Sequence, residues 1–291
     1  MKAIEYEKLG LNIELVDRLL EQVTNWPGEV LKSHNDSSHL IHKLSFLADI
    51  GFDSSTPEIA QTVQKIIEHI STENLYQIKI NIPKHFGGTG QEQWSWMLCD
   101  APLVLYLLKR FGYSDNNKIK EGIEFLINLQ KDNTWTCTVS SDLGKFRGPG
   151  RKNDPCPYAT LLMLKLISLF EEYHDLPQTK NGAEALLTLW EQRKERRPYM
   201  FAMGSGFQKL KSPLIWYDIL HVVDVLSKFK WLHKDRRLLD MVDIIKNKAD
   251  DNGKYKAESV YRVWSDWEFG QKKIPSKFIT DKIVNILKRI V

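Results

Sequence analysis

The sequence predicts an all-α protein built from repeated pairs of helices. Two observations support this fold class: similar segments recur about every sixty residues, and each segment joins a strongly apolar stretch to an amphipathic one. Within the amphipathic stretches, apolar side chains recur at intervals of three and four, which is the helical period. Alternation typical of a β-strand extends no further than residues 76–82, a stretch that is either a short extended segment or a loop.

The repeat is clearest between residues 120–126 and 180–186. Four residues of the first segment return as identical types sixty positions further on: Lys120, Gly122, Glu124 and Leu126 match Lys180, Gly182, Glu184 and Leu186. Weaker similarity extends back to residues 51–66 and forward to residues 244–252. The chain is therefore divided into four units of similar length.

Each unit is predicted to contain a buried inner helix and an outer helix that covers it. The inner helices are expected at residues 40–50, 101–111, 159–170 and 219–229, and the outer helices at residues 58–70, 119–129, 183–193 and 237–248. Further helices are expected at residues 13–23 and 278–290. Such pairs can stack as an open solenoid or close into a double ring, and the periodicity alone does not distinguish the two.

The composition is that of a globular protein without a membrane-spanning segment. Apolar residues make up 42% of the chain, and the longest apolar run, residues 161–170, is interrupted by Lys165 and too short to cross a bilayer. A formal net charge of +4 is too small to indicate a nucleic-acid partner. Three cysteines, an odd number, and the lack of an apolar leader indicate a reducing, cytoplasmic location.

A short motif closes the second outer helix and consists of Gln130, Asp132, Asn133 and Trp135. It resembles the repeat motif of squalene cyclases and protein prenyltransferase β-subunits, with Asn133 where glycine is usual. Asparagine tolerates the left-handed backbone that such a turn needs. The motif implies a structural role, in which the glutamine caps backbone groups and the indole packs over the turn. A degenerate copy lies at residues 250–255.

The resemblance covers roughly residues 35–290 and implies a fold more specific than the periodicity does. It points to the superfamily of terpenoid cyclases and protein prenyltransferase β-subunits. Their fold is an α/α toroid, a closed double ring of inner and outer helices, here with about five helix pairs. On this resemblance we expect a single toroid domain over residues 1–291, with residues 1–34 as an N-terminal helical extension.

Residues 144–158 are similar to the zinc-site loop of protein prenyltransferase β-subunits. There, a glycine-rich, arginine-containing loop leads into Asp-x-Cys at the start of an inner helix, and Asp154 and Cys156 match these two zinc ligands. The third ligand of the family is a histidine, and Asp218 stands in the corresponding place, with His221 one turn later. The resemblance therefore implies zinc, with Asp154, Cys156 and Asp218 as its ligands and as the catalytic candidates.

Two other cysteines are alternative ligands. Cys99 also opens an inner helix, and Cys137 follows the turn at Trp135, so a ring fold would bring both towards the same opening. Free cysteines are, however, also ordinary small core residues. In the glycine-rich loop, Arg147 and Arg151 are positioned to contact an anion such as diphosphate, and the simpler interpretation is a solvated loop.

Aromatic residues near the starts of inner helices form a second group of candidates: Trp96, Trp216, Tyr217 and Trp264. In the fold that the chain resembles, such positions line a central cavity, and an aromatic lining suits an isoprenoid or another apolar chain. The alternative is that these side chains fill the ring and leave no cavity.

Two functions remain open at this level. One is a prenyltransferase-like protein that binds an apolar or isoprenoid ligand in its central cavity, whether or not it transfers it. The other is a non-catalytic toroid that binds a partner protein or a lipid. Terpene cyclisation is disfavoured, because neither Asp-x-Asp-Asp nor Asp-Asp-x-x-Asp occurs. The fold does not choose between the two, since function depends on the site rather than on the scaffold.

Overall fold

The computed structural model of the chain describes residues 8–146, 155–196 and 200–290. Within these ranges the structure is predominantly helical, as the predicted all-α class requires, and the closed double ring of a toroid stays a prediction. The helices are α1 (Ile13–Val23), α2 (Leu40–Asp49), α3 (Pro57–Ile67), α4 (Ala101–Arg110), α5 (Asn116–Asn128), α6 (Pro157–Ile167), α7 (Pro177–Glu191), α8 (Ile219–Leu226), α9 (Arg236–Lys246) and α10 (Lys277–Ile290).

A two-stranded antiparallel sheet interrupts the helical pattern. Strand β1 (Ile78–Asn81) pairs with β2 (Glu92–Ser95), and Ile80 lies opposite Gln93. The alternating stretch at residues 76–82 is therefore extended, as one of the two interpretations proposed. The second strand was not predicted, because Trp94 is its one apolar residue and a single apolar position shows no period.

The chain divides into two compact units. The central unit comprises Leu19–Ala185, and the split unit combines residues 8–18 with residues 186–290. The central unit contains inner helices α2, α4 and α6, and the split unit contains inner helix α8 with α9 and α10. The single domain expected over residues 1–291, with its extension at residues 1–34, stays a prediction.

In the central unit, the inner helices lie side by side in chain order. Helix α4 packs against both α2 and α6, and the outer helix α5 covers α4 and α6. Every residue of α6 is buried, as expected for an inner helix that is apolar on most faces. Helices α2 and α4 begin at the predicted residues, and α6 begins two residues early, at Pro157, because proline is favoured in a first helical turn.

One buried ion pair ties these three helices together. Lys165 in α6 lies 3.0 Å from the Asp49 carboxylate of α2 and 3.1 Å from the Ser45 hydroxyl. Tyr106 in α4 donates its hydroxyl to the other Asp49 oxygen at 2.6 Å. The Lys165 side chain is only 2% exposed. A buried lysine is tolerated here because all of its neighbours accept or screen its charge.

The Gln-x-Asp-Asn-x-Trp motif has the structural role that its residues imply. Asn133 adopts a left-handed φ of 62°, and the Trp135 indole N–H donates to the Leu126 carbonyl at 3.0 Å. Gln130 donates to the Gln178 carbonyl at 2.9 Å, at the start of the next outer helix. A Cβ at Gly182 would come within 2.4 Å of the Trp135 ring, so only glycine allows this close packing.

In the split unit, helix α8 packs against α9 and α10 and is buried along its whole length. Asp224 in α8 forms a 2.7 Å ion pair with Arg289 of α10. The degenerate motif copy contacts the start of α10 through the backbone of Tyr255. The Tyr255 carbonyl accepts from Ser276 N at 2.7 Å, and Tyr255 N donates to Thr280 at 3.0 Å.

Candidate functional site

The candidate residues gather at the starts of the inner helices. The residues that cap these helices are His39 for α2, Asp100 for α4, Cys156 for α6 and Asp218 for α8. All of them except Asp100 accept a hydrogen bond from a backbone N–H of the first turn. Such caps satisfy N–H groups that the helix itself leaves unpaired, so each position has a structural reason for a polar or thiol side chain.

In the central unit, one extended segment, residues 135–139, brings all three cysteines together. Leu98, which precedes the first cysteine, donates its N–H to the Thr138 carbonyl at 2.9 Å. On the other side, the N–H of Cys156 donates to the Trp135 carbonyl at 2.9 Å. The segment is therefore paired with the residues that lead into α4 and into α6. The third cysteine, Cys137, is the middle residue of this segment.

The thiols form a close group. Cys99 and Cys156 have their sulfur atoms 3.7 Å apart, and the two residues are only 7% and 8% exposed. Cys137 is the most accessible of the three, with intermediate exposure. The Cys156 sulfur also accepts the Ala159 N–H at 3.4 Å, in the first turn of α6.

The environment shifts the pKa values of the two buried thiols in opposite directions. A hydrogen bond from Cys99 lowers the pKa of Cys156 despite its burial, and the N–H groups of Ala159 and Tyr158 lower it further. Hydrogen bonds to Cys137 and Cys156, together with burial, raise the pKa of Cys99 well above its usual value. The arrangement therefore favours a Cys156 thiolate with Cys99 as its proton-bearing partner, as is typical of a thiol at a helix N-terminus.

The donor set fits zinc in kind, and one pair fits it in spacing. Zinc holds thiolates at about 2.3 Å in tetrahedral geometry, so two ligand sulfurs stand about 3.8 Å apart. The Cys99–Cys156 separation of 3.7 Å matches this spacing. Among the described residues, however, no three His, Cys, Asp or Glu side chains are grouped closely enough to hold a metal ion. The matched ligand Asp154 lies outside the described residues.

A buried acid beside the cysteines was not predicted. Asp100 directly follows Cys99, and its side chain is completely buried. One of its oxygens lies 3.3 Å from His34 Nε2, and the other accepts the Met97 N–H at 3.0 Å. Burial raises the pKa of Asp100, while His34 and the backbone N–H groups oppose this rise. The sequence feature that could have identified it is an acid directly before Ala101 and Pro102, which begin α4.

Two further histidines are structural. His39 caps α2 by accepting from Ile41 N at 3.2 Å, and its other ring nitrogen lies 3.0 Å from the Glu29 carbonyl. His42 donates to the His34 carbonyl at 2.9 Å, and burial lowers its pKa to about 3. His42 is therefore neutral, and it fixes the loop that carries His34.

In the split unit, Asp218 is held differently from the other caps. One carboxylate oxygen accepts the His221 N–H at 3.0 Å, and the other has no hydrogen-bond partner among the described residues. The residue is 6% exposed, and burial raises the pKa of Asp218 to about 7. His221 is 1% exposed, and its Nδ1 lies 2.9 Å from the Trp216 carbonyl. These two predicted residues are thus adjacent, and Asp218 is close to half protonated at neutral pH.

The predicted aromatic residues fall into two groups. Trp216 and Tyr217 surround Phe201 beside Asp218: the Trp216 ring stacks on it at 5.4 Å, and the Tyr217 ring meets it edge-on at 5.6 Å. Trp96 and Trp264 are 3% and 2% exposed. Trp96 packs edge-on against Phe125 at 5.7 Å and Trp264 packs against Trp267 at 5.4 Å, so both have the contacts of core residues.

The two arginines predicted to contact an anion, Arg147 and Arg151, lie outside the described residues, as does Asp154. A surface cavity of about 430 Å³ elsewhere in the split unit contains none of the predicted residues. Its wall includes Arg237, which is paired with Asp235 at 2.8 Å, and Arg193, which lies 3.9 Å above the Trp190 ring. This lining is charged and does not suit an apolar ligand.

Comparison with known proteins adds nothing to the resemblance, which rests on the sequence motifs alone. No protein-family model matches the chain, and no curated protein matches it. Among the helices described, none combines the length and the apolar character that crossing a membrane requires.

Proposed function

We propose that the protein is a prenyltransferase-like α/α toroid that handles an apolar or isoprenoid ligand at a cysteine-held zinc ion. The observation that carries the proposal is the 3.7 Å separation of the Cys99 and Cys156 sulfurs beside the starts of α4 and α6. In the family that the chain resembles, zinc activates an incoming thiol. Cys156 and Cys99 would hold the ion here, with Cys137 or Asp154 completing the ligand set.

The chain's own residues support this assignment in two ways. The Cys156 sulfur interacts with the Ala159 N–H and with Cys99, and these hydrogen bonds lower the pKa of Cys156 and so favour the charged form that binds metal. Asp100 and His34 lie next to Cys99, where a carboxylate and an imidazole can position a ligand or carry a proton. A reducing, cytoplasmic location would keep the thiols available.

Metal analysis of the purified full-length protein tests the zinc site. We expect about one zinc per chain, measured by mass spectrometry of the metal content, since structural and catalytic zinc sites bind stoichiometrically. Cys99→Ser and Cys156→Ser should each lose the ion, while His85→Gln, which removes an exposed histidine away from the cysteines, should keep it. A folded, metal-free wild-type protein that does not take up added zinc would rule the site out.

Ligand binding is tested separately with a farnesyl diphosphate titration followed by tryptophan fluorescence. We expect a saturable change that inorganic diphosphate alone does not produce, because the apolar chain supplies the binding energy. A response to phospholipid vesicles and none to farnesyl diphosphate would instead favour the non-catalytic, lipid-binding alternative. No response to either, in a folded protein, would leave a protein partner as the remaining hypothesis and refute the isoprenoid proposal.

A further inference from the structure

The three thiols differ in exposure, and Cys99 is the one that interacts with both of the others. Cys99 is in contact with Cys156 at 3.7 Å, and it also lies within hydrogen-bonding reach of Cys137. Cys99 and Cys156 are buried, whereas Cys137 is partly exposed. A reagent from solution therefore meets Cys137 first.

Backbone hydrogen bonds connect the segments that carry the three cysteines. The Leu98 N–H and the Cys156 N–H both pair with residues 135–139, so the backbone on either side of Cys137 is tied to the starts of α4 and α6. The two buried sulfurs need to approach by less than about 2 Å to form a disulfide, whose bond is about 2.05 Å long.

We propose that Cys137, Cys99 and Cys156 form a thiol relay, in which a low-molecular-weight disulfide such as glutathione disulfide reacts at Cys137 and the oxidation passes through Cys99 to a final Cys99–Cys156 disulfide. This activity goes beyond zinc binding and does not rest on it. The same sulfurs serve both, so the bound metal and the disulfide exclude each other.

The relay consists of three exchange steps. The Cys137 thiolate attacks the external disulfide; a mixed disulfide forms on Cys137 and one small thiolate leaves. Cys99 then attacks the Cys137 sulfur, the second small thiolate leaves, and the Cys99 proton passes to it. Finally the Cys156 thiolate attacks the Cys99 sulfur and releases Cys137. Two protein thiols are oxidised, one external disulfide is reduced to two small thiols, and Cys137 is regenerated.

Each thiol has the property that its step requires. Cys137 is accessible, so it meets the oxidant. The Cys156 sulfur accepts the Ala159 N–H at the N-terminus of α6 and lies in contact with Cys99, so it acts last as the nucleophile. The buried product is shielded from exchange with solvent thiols, which makes the Cys99–Cys156 disulfide the end point rather than the mixed disulfide.

Disulfide mapping tests the relay. Full-length protein, reduced and freed of metal with a chelator, is incubated with glutathione disulfide; the free thiols are then alkylated, and the linked peptides are identified by mass spectrometry. We expect a Cys99–Cys156 disulfide and a free Cys137. Cys137→Ser should give the same disulfide at least about tenfold more slowly, since it removes the accessible thiol. Cys99→Ser should stop at a mixed disulfide on Cys137.

Ser141→Ala, an exposed position close to the cysteines, is the matched control and should behave as the wild type. A stable mixed disulfide on wild-type Cys137, a Cys99–Cys137 end product, or unchanged thiols in folded protein would each overturn the relay. Repeating the reaction with zinc-loaded protein separates the two proposals. Protein that binds no zinc but forms the Cys99–Cys156 disulfide refutes only the metal site, and protein that binds zinc but forms no disulfide after its removal refutes only the relay.

Discussion

Cys156 in the central unit and Asp218 in the split unit occupy the same position in successive repeats, yet their environments differ. Each caps an inner helix and is buried. Cys156 has a donor in Cys99, and that hydrogen bond lowers its pKa, whereas the second oxygen of Asp218 has no partner among the described residues and burial raises its pKa. The repeat therefore specifies a helix start and a cap, while neighbouring donors decide whether the cap is charged.

The two units also differ in how exposed to solvent the ion pairs further along their inner helices are. The Lys165–Asp49 pair in the central unit has side chains that are 2% and 13% exposed. The Arg289–Asp224 pair in the split unit leaves Arg289 34% exposed. A pair removed from water is costly to break, because the remaining charge has no solvent to replace its partner, whereas an accessible arginine can be replaced by water.

Lys165→Met is expected to have the largest effect on stability. It keeps the volume of the side chain but leaves the Asp49 carboxylate without its cation, which should lower the free energy of unfolding by about 3–5 kcal/mol. Urea unfolding of the full chain, followed by circular dichroism, measures the loss. Adding Asp49→Asn should recover part of it. The control is Lys180→Met in an exposed pair with Asp175, for which we expect about 0–1 kcal/mol. Equal losses in the two single variants would contradict the comparison.

Asp218→Asn should stabilise the protein near neutral pH. The folded-state pKa of about 7 lies above the usual value of 3.8, so the unfolded chain loses the proton first and the stability of the wild type falls as pH rises from about 4 to 7. Asparagine cannot ionise and keeps an oxygen for the His221 N–H. We expect a gain on the order of 2–4 kcal/mol above pH 7 and little gain at pH 4, from urea unfolding across this range.

Asp224→Asn, in the same unit, should change the stability at neutral pH in the opposite direction to Asp218→Asn. Burial alone would raise the pKa of Asp224, but Lys228, Lys282 and Arg289 lower it below the unfolded value. Its contribution is therefore present above pH 4 and is lost as the pH falls below that value. The asparagine variant should be destabilised at neutral pH, with the difference shrinking in acid. A gain in stability from both variants would show that burial, rather than the neighbouring donors, controls these two carboxylates.

Arg289→Met should cost less than Lys165→Met. It removes the hydrogen bonds of Arg289 to Asp224 and to the Ser227 hydroxyl, but Lys228 remains 3.5 Å from the Asp224 carboxylate. A loss of about 1–2 kcal/mol is expected in the same urea experiment. If this loss matches that of Lys165→Met, solvent exposure is not what separates the two ion pairs.

Cys156→Ala should have the smallest effect among these variants. The alanine side chain cannot accept the Ala159 N–H, and losing a helix cap costs about 0.5–2 kcal/mol. Cys156→Ser restores an acceptor and should recover most of this difference. Thermal unfolding in the presence of a reductant and a chelator measures the cap alone, free of metal and disulfide. Identical midpoints for the two variants would show that the thiol does not act as a cap.

Most of the fold prediction was based on helical periodicity. The starts of α2, α4 and α8 were predicted to the residue, because each apolar run begins directly after a capping side chain. Helix α7 was expected from residue 183 but begins at Pro177. Its first turns are polar, and Thr179 donates to the Tyr173 carbonyl there, so tertiary contacts rather than an apolar stripe define that end.

The candidate site was predictable where it depends on helix starts. Cys99 and Cys156 meet because each precedes the first turn of an inner helix, which the sequence shows. The pairing of His34 with Asp100 joins residues 66 positions apart, and no local pattern encodes it. The burial of Trp96 and Trp264 likewise depends on how the helices pack, because an aromatic side chain at a helix start can face either a core or a cavity.

Main-chain hydrogen bonds link residues 135–139 to the starts of α4 and α6. These bonds do not use the side chains at positions 99, 137 and 156. Exchanging a cysteine there for a histidine or a serine changes the chemistry presented at that point and leaves the scaffold in place. A chain built in this way can exchange soft sulfur donors for nitrogen or oxygen donors one substitution at a time, without having to fold anew.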